Sequence, residues 1–430
     1  MSDPRRNPLI GIGAAAAAAA AGVAAGLLAD RASKQRAVVR ALETGDTFEH
    51  VPDETAVVVT DDGVPIHVEI DLPTPEAALD AAADTTTGDD PDLLPTVVLA
   101  HGYCLSMRSW IYQRRALKAA GYRVVAFDQR GHGQSGKGDR ESYVIDRLGR
   151  DLHAVLSEHA PTGDLVLVGH SMGGMTILAL GEHYPELVAE RVIGAGFVAT
   201  SPGGLTLANG GRLAVTARQL LELVGPRILG PLSERPEVVL RMRRAGRELE
   251  DFLVEQNSYA SPVPRSLVRY TADMLLGTPL DVINDYLKTF DGFDKRPALA
   301  EFVNTLVLVF NGRQDILTPP AHSELIVEGI PGADHIIVND AGHLIMLEHP
   351  DLLNAYLIEL VDSAARARAE RLDVSSRPHV RRVVTDVAKE RRMRQARERS
   401  ERAQREEPAT GPERSRRKVK RREERHRRGA

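Results

Sequence analysis

The chain has 430 residues, of which 43% are hydrophobic and 27% charged, and its formal charge is −5; this average is that of an ordinary globular protein and excludes disordered, collagen-like and multi-span membrane architectures for the chain as a whole. The mild charge is a cancellation, because residues 371–430 carry 22 Lys and Arg against 10 Asp and Glu (+12), while residues 1–370 carry 33 against 50 (−17). Cys104 is the sole cysteine, so no intramolecular disulfide can form; no Cys/His spacing resembles a zinc site, and the sequence implies neither a metal nor a cofactor.

In chain order, the first expected element is a helix over Leu9–Ala29, twenty-one residues without a charge, flanked by Arg5 and Arg6 before and by Asp30, Arg31, Lys34 and Arg36 after. Its length would be about 30 Å, one hydrocarbon core. Ala and Gly dominate it, which weakens insertion relative to a Leu-rich span, and Gly22 and Gly26 form a GxxxG face. Residues 1–30 are read as a single-pass anchor in the cell membrane. The alternatives are a signal sequence, cleaved from a secreted protein, and an Ala-rich helix of a cytoplasmic one. Residues 31–53 read as a linker.

Ala56–Thr60 and Val64–Ile70 are β-rich runs around Asp61-Asp62-Gly63, a hairpin signal. Residues 71–95 have few core-forming side chains and read as a surface loop. From there short apolar runs alternate with helix-length stretches: Thr96–Ala100, Arg123–Phe127, Leu165–Val168, Val192–Val198, Thr305–Phe310 and His335–Val338. Unbroken apolar strands in such alternation imply an α/β fold with a mostly parallel central sheet flanked by helices. Between about 201 and 304 the strands stop and the pattern turns helical, as expected of an insertion over one end of the sheet. The catalytic domain is expected at 54–363, and 364–430 as a basic, partly disordered tail without aromatic residues from Arg371 onward.

The strongest local signal is Gly169-His-Ser-Met-Gly173 after the strand Leu165–Val168. A sharp strand-to-helix turn would hold Ser171 in a strained backbone with its hydroxyl exposed. Serine needs a base to take its proton, and the base needs an acid to orient it. Asp315 follows the strand ending at Phe310, and His343 follows the one ending at Val338, both at carboxyl ends of strands, where open α/β sheets place their sites. An oxyanion formed on an acyl carbon requires N–H donors; Met172, after the nucleophile, and Tyr103, in the turn His101-Gly102-Tyr103, are the candidates. Cys104 reads as a packing residue and Trp110 as an anchor for the helix that follows.

Together, His101-Gly102, Asp128-Gln-Arg-Gly-His-Gly-Gln-Ser135, Gly169–Gly174, Gly312-Arg-Gln-Asp315 and Gly342-His343 resemble the α/β-hydrolase superfamily, especially its esterase, lipase and haloperoxidase-like members, over about residues 95–360. The resemblance implies Ser171 as nucleophile, His343 as general base and acid, Asp315 as orienting acid, and 201–304 as a helical lid. It also implies that the loop Asp128–Ser135 is architectural, with His132 outside the chemistry. Haloalkane dehalogenases and epoxide hydrolases of this fold place a carboxylate where this chain has Ser171, which disfavours both.

The expected function is hydrolysis of carboxylic esters, lipid-like ones included, through an acyl-enzyme on Ser171. Acyl transfer, perhydrolysis or carbon–carbon bond hydrolysis on the same triad is the alternative, and a non-catalytic scaffold the second. The expected partners are a small-molecule ester or lipid and a membrane, met through Leu9–Ala29 and the basic tail; missing aromatics argue against nucleic acid.

Overall fold

The structure, a computed structural model, describes residues 37–43, 45–85, 90, 93–204, 254–255 and 257–406. The segment Leu9–Ala29, residues 205–253 of the expected lid and the tail beyond 406 lie outside the described residues. Among the described residues no helix is long and apolar enough to cross a membrane. The chain divides into two units, Gly45–Asp386 and one drawn from the two chain ends.

Nine strands build one sheet in the first of these units: β1 (Glu54–Val59), β2 (Pro65–Asp71), β3 (Thr96–Ala100), β4 (Val124–Phe127), β5 (Leu165–His170), β6 (Val192–Val198), β7 (Leu306–Gly312), β8 (Asp334–Val338) and β9 (Val380–Val384). Their order is β1-β2-β4-β3-β5-β6-β7-β8-β9. β1 and β2 form the expected antiparallel hairpin, β2 runs antiparallel to β4, and every pairing from β4 to β9 is parallel. Helices α1 (Pro75–Thr85), α2 (Ile111–Ala119), α3 (Ile145–His159), α4 (Met172–His183), α5 (Pro185–Arg191), α6 (Arg265–Gly277), α7 (Leu280–Leu287), α8 (Pro320–Gly329) and α9 (Pro350–Glu370) complete it, and α10 (Val387–Glu406) belongs to the second unit.

The alternation of side chains along each strand sorts the core into two layers. Val97, Leu99, Val166, Val168, Leu306 and Leu308 face one cluster with residues of α2 and α9. Val98, Ala100, Leu165, Leu167, Val307 and Val309 face the other with residues of α3, α4, α5 and α8. Both faces of the central strands are covered, so those strands have no polar alternation. In α3, Leu148, Leu152, Val155 and Leu156 are buried at helical spacing, and burial of each such side chain stabilises the fold by about 1.5–3 kcal/mol.

Three expectations are corrected. Within the expected loop 71–95, Pro75–Thr85 forms α1, with Ala78, Ala82 and Thr85 buried; an Ala-rich run with Pro at its start and Glu76 in its first turn has high helix propensity even without bulky side chains. Within the expected linker 31–53, residues from Gly45 belong to the catalytic unit; Phe48 is buried and stacks on Tyr270 at 4.6 Å between ring centroids. The expected boundary at 363 falls inside α9, and β9 carries the sheet to Val384. Of the expected tail from 364, residues as far as Glu406 include the end of α9, β9 and α10, and residues 407–430 lie outside the described residues. Arg381 and Arg382 concealed β9, yet an edge strand tolerates exposed charge, and Val380, Val383 and Val384 suit it.

Candidate active site

Ser171 sits between β5 and α4 at φ 50° and ψ −117°, a left-handed conformation for a residue with a side chain. The glycine at 173 makes the turn sterically feasible, since a Cβ there would lie 2.1 Å from the carbonyl oxygen of Ala100 at the end of β3. The turn is tied down by Ser171 N–H donating to Val198 O at 3.0 Å and by Thr200 Oγ1 donating to Ser171 O at 2.6 Å. Ser171 keeps partial exposure amid buried neighbours.

Asp315 follows β7 and His343 follows β8, as the sequence implied, and the structure brings them together: His343 Nδ1 stands 2.8 Å from Asp315 Oδ2. Both side chains are buried. A carboxylate oxygen accepts, so Nδ1 carries the hydrogen and Nε2 is left as an acceptor. The Asp315 Oδ1 atom accepts the amides of Leu317 (2.8 Å) and Thr318 (2.9 Å). Thr318 Oγ1 lies 2.8 Å from Asp315 Oδ2, 2.8 Å from Ala199 O and 3.3 Å from His343 Nδ1. This threonine was not anticipated; nothing in its sequence context marks it beyond its place three residues after Asp315.

His343 is tied to the nucleophile strand through its neighbour, because His170 Nε2 lies 3.0 Å from His343 O. Its loop is also held by Glu348, whose Oε2 accepts Gly342 N–H at 2.7 Å, while Oε1 accepts the amides of Ala260 (3.1 Å) and Ser261 (2.6 Å).

The turn carrying Tyr103 is tight: Leu105 N–H donates to Gly102 O at 3.2 Å, and Cys104 adopts φ 59°. Beneath it lies the Asp128–Ser135 loop. Cys104 N–H donates to His132 Nε2 at 3.2 Å, Gln129 N–H donates to His101 Nε2 at 2.9 Å, and Met107 N–H donates to Asp128 Oδ1 at 2.8 Å. Burial pushes His101 down to about 4 and His132 down to about 3, so both imidazoles stay neutral and can accept. Burial pushes the Cys104 thiol up to about 12, in keeping with a packing residue. Over this turn the Tyr103 ring packs against Phe290 and Tyr286, with centroids 5.3 and 6.2 Å away. Trp110 is fully buried just before α2.

Among the described residues one group, Asp146, Glu182 and His183, has metal-type ligands in mutual reach. The ammonium of Lys295 already sits there, 2.5 Å from Asp146 Oδ1 and bonded to Glu182. No part of the site just described draws on that group.

A mostly parallel sheet, a strained serine after a central strand and a His–Asp pair beyond two later strands define an open-sheet α/β protein with a hydrolase-type site. The sequence pattern of the alpha/beta hydrolase fold matches residues 95–350, and the chain belongs to that family. It is similar to the monoacylglycerol lipase of Mycolicibacterium smegmatis, at 26% identity over 60% of this chain and 87% of the relative. Epoxide hydrolase B of Mycobacterium tuberculosis is 41% identical over a shorter stretch, 22% of this chain and 27% of the relative. Among solved structures, bromoperoxidase from Bacillus anthracis superposes with a TM-score of 0.53 at 23% identity, over 72% of this chain and 99% of that one; at that identity the likeness concerns the fold.

Proposed function

We propose that this hydrolase cleaves carboxylic esters, lipid-like ones included, through an acyl-enzyme on Ser171. The observation that carries the reading is the 2.8 Å contact between His343 Nδ1 and Asp315 Oδ2, which leaves Nε2 free to accept a proton. In this reading His343 Nε2 takes the Ser171 hydroxyl proton as Oγ bonds to the acyl carbon, and the carbonyl π pair moves onto oxygen. The amides of Tyr103 and Met172 stabilise that oxyanion. Met172 opens α4, where the first-turn amides have no intrahelical acceptor and the helix dipole favours negative charge. Collapse breaks the bond to the alcohol, which leaves with the proton from His343; water then repeats the sequence and releases the acid.

A lipid-like substrate is supported by the named activity of the mycobacterial relative and by the apolar cluster of Tyr103, Met172, Met175 and Tyr286 beside the serine. Fluorophosphonate labelling of Ser171, joined to a p-nitrophenyl ester chain-length series, tests the reading. Ser171→Ala should abolish both labelling and turnover while the protein still folds; turnover that survives the substitution removes it. Transfer to an alcohol in place of water would appear as a second product when alcohol is added.

Attachment to a membrane through Leu9–Ala29 belongs to the same proposal. It is supported by the absence of charge along that segment and by the +12 balance of residues 371–430, since basic clusters contribute about 1 kcal/mol per residue near anionic lipid. Full-length protein that stays in the membrane fraction after alkaline extraction, and leaves it when residues 1–30 are deleted, agrees with it; soluble full-length protein contradicts it.

A further inference from the structure

In the sheet, β5 and β8 are separated by β6 and β7. With strands about 4.8 Å apart, the roots of the nucleophile turn and of the His343 loop are roughly 14 Å apart, linked through the β6 and β7 ladders but by no ladder hydrogen bond of their own. A direct tie between the nucleophile strand and the His343 loop therefore has to come from side chains. The side chain at 170 is placed to make it.

His170 ends β5, one residue before Ser171, and is fully buried. Its Nε2 is 3.0 Å from His343 O; a carbonyl oxygen only accepts, so Nε2–H donates and the ring is the Nε2–H tautomer or its cation. The ring centroids of His170 and His343 are 4.8 Å apart. On its other side, Nδ1 faces the oxyanion turn so closely that a Cβ added to Gly102 would lie 2.6 Å from it, and the Trp110 ring stands edge-on at 6.4 Å. Nδ1 has no hydrogen-bond partner among the described residues, which selects the neutral form; burial, with His343 nearby, holds the group well below the ordinary histidine range. One imidazole thus touches the backbone of the base and the turn of the oxyanion donor, and is bonded covalently to the nucleophile residue.

We propose that His170 is a positioning residue that registers the His343 loop and the Gly102–Tyr103 turn against Ser171, through its Nε2–H bond to the His343 carbonyl and its close contact with Gly102. The inference rests on the serine-hydrolase reading above. Reacting groups misplaced by about 1 Å cost on the order of a hundredfold in rate, so a spacer that spans all three has a direct catalytic effect without touching substrate.

The test is steady-state ester hydrolysis by the full chain, with kcat expressed per serine titrated by a fluorophosphonate. His170→Leu keeps the bulk and removes the donor; it should lower kcat per titrated site at least tenfold, slow fluorophosphonate labelling in proportion and leave KM within about twofold. His170→Gln, whose amide reaches as far as Nε2 and can donate to the same carbonyl, should recover most of the loss. A role confined to stability would lower the titrated fraction and the melting temperature while kcat per site stayed constant, and that result overturns the proposal. Equal losses in His170→Leu and His170→Gln overturn it as well. Should the Leu variant fail to fold, His170→Asn replaces it, because its shorter amide falls short of His343 O; equal kcat per site for Asn and Gln then decides against the proposal. Absence of labelling in the unaltered protein would instead sink the serine-hydrolase reading on which the proposal rests.

Discussion

The hydroxyl of Thr318 lies 2.8 Å from Oδ2 of Asp315, the same oxygen that meets His343. With the Thr318 amide on Oδ1 at 2.9 Å, one residue grips both oxygens of the carboxylate. Thr318→Val keeps the shape and removes the hydroxyl bond. A hydrogen bond to a charged group contributes about 1.5–3 kcal/mol, and part of that reaches the transition state through the aim of Asp315. We expect kcat to fall about tenfold with KM little changed; activity within twofold of the unaltered protein would assign the threonine to packing alone.

Asp315→Asn tests the orienting role directly. The amide can present N–H where the carboxylate accepted, which favours the wrong His343 tautomer and removes the charge that stabilises its imidazolium. In a triad this costs about 10⁴-fold in kcat. Ester turnover measured beside a melting curve separates this from unfolding, and a loss under tenfold would point to another acid.

The turn around Ser171 has no room at residue 173. Gly173→Ala places a methyl 2.1 Å from the carbonyl oxygen of Ala100, and the three nearest atoms are all backbone atoms of Ala100 and His101. Relief requires β3 and α4 to part, at a cost of about 1–3 kcal/mol for overpacking, together with loss of the amide geometry at Met172. Activity should fall more steeply than stability. A variant with unaltered kcat and urea midpoint would show that the turn can relax.

His101 and His132 also make stability depend on pH. Unfolded, each titrates near its ordinary value of 6.5; in the fold, burial lowers them to about 4 and about 3. Between those limits the unfolded chain binds protons that the native one refuses. Their contribution is therefore complete above about pH 6.5 and declines as pH falls, by up to about 1.4 kcal/mol per pH unit for each histidine. Urea midpoints at pH 7.5 and 5.0 measure this, and a midpoint that holds or rises at pH 5.0 contradicts it.

Much of this fold can be read in the linear chain because its physical signals are local. Leu165–Val168 is apolar on both faces, so it had to be a covered strand; Gly169 and Gly173 frame a turn that side chains would block; Asp315 and His343 each follow a strand of the same kind. Where local signals were weak the reading failed. Pro75–Thr85 has too few large side chains for its helical face to register, although Ala alone suffices once Gly121 brings the chain against it, where a Cβ would lie 2.2 Å from Ala77 O. β9 carries two arginines and becomes a strand only because β8 offers an unpaired edge.

The sequence by itself determined the first eight strands, the order Ser171, Asp315, His343 and the division between an acidic body and a basic end, since these depend on residue type and near neighbours. Only the tertiary structure decided what Thr318, Glu348 and His170 do. Each acts across a gap in sequence or in the sheet, His170 reaching the carbonyl of His343 from 173 residues away, and a distance of that kind exists only after the intervening strands have packed.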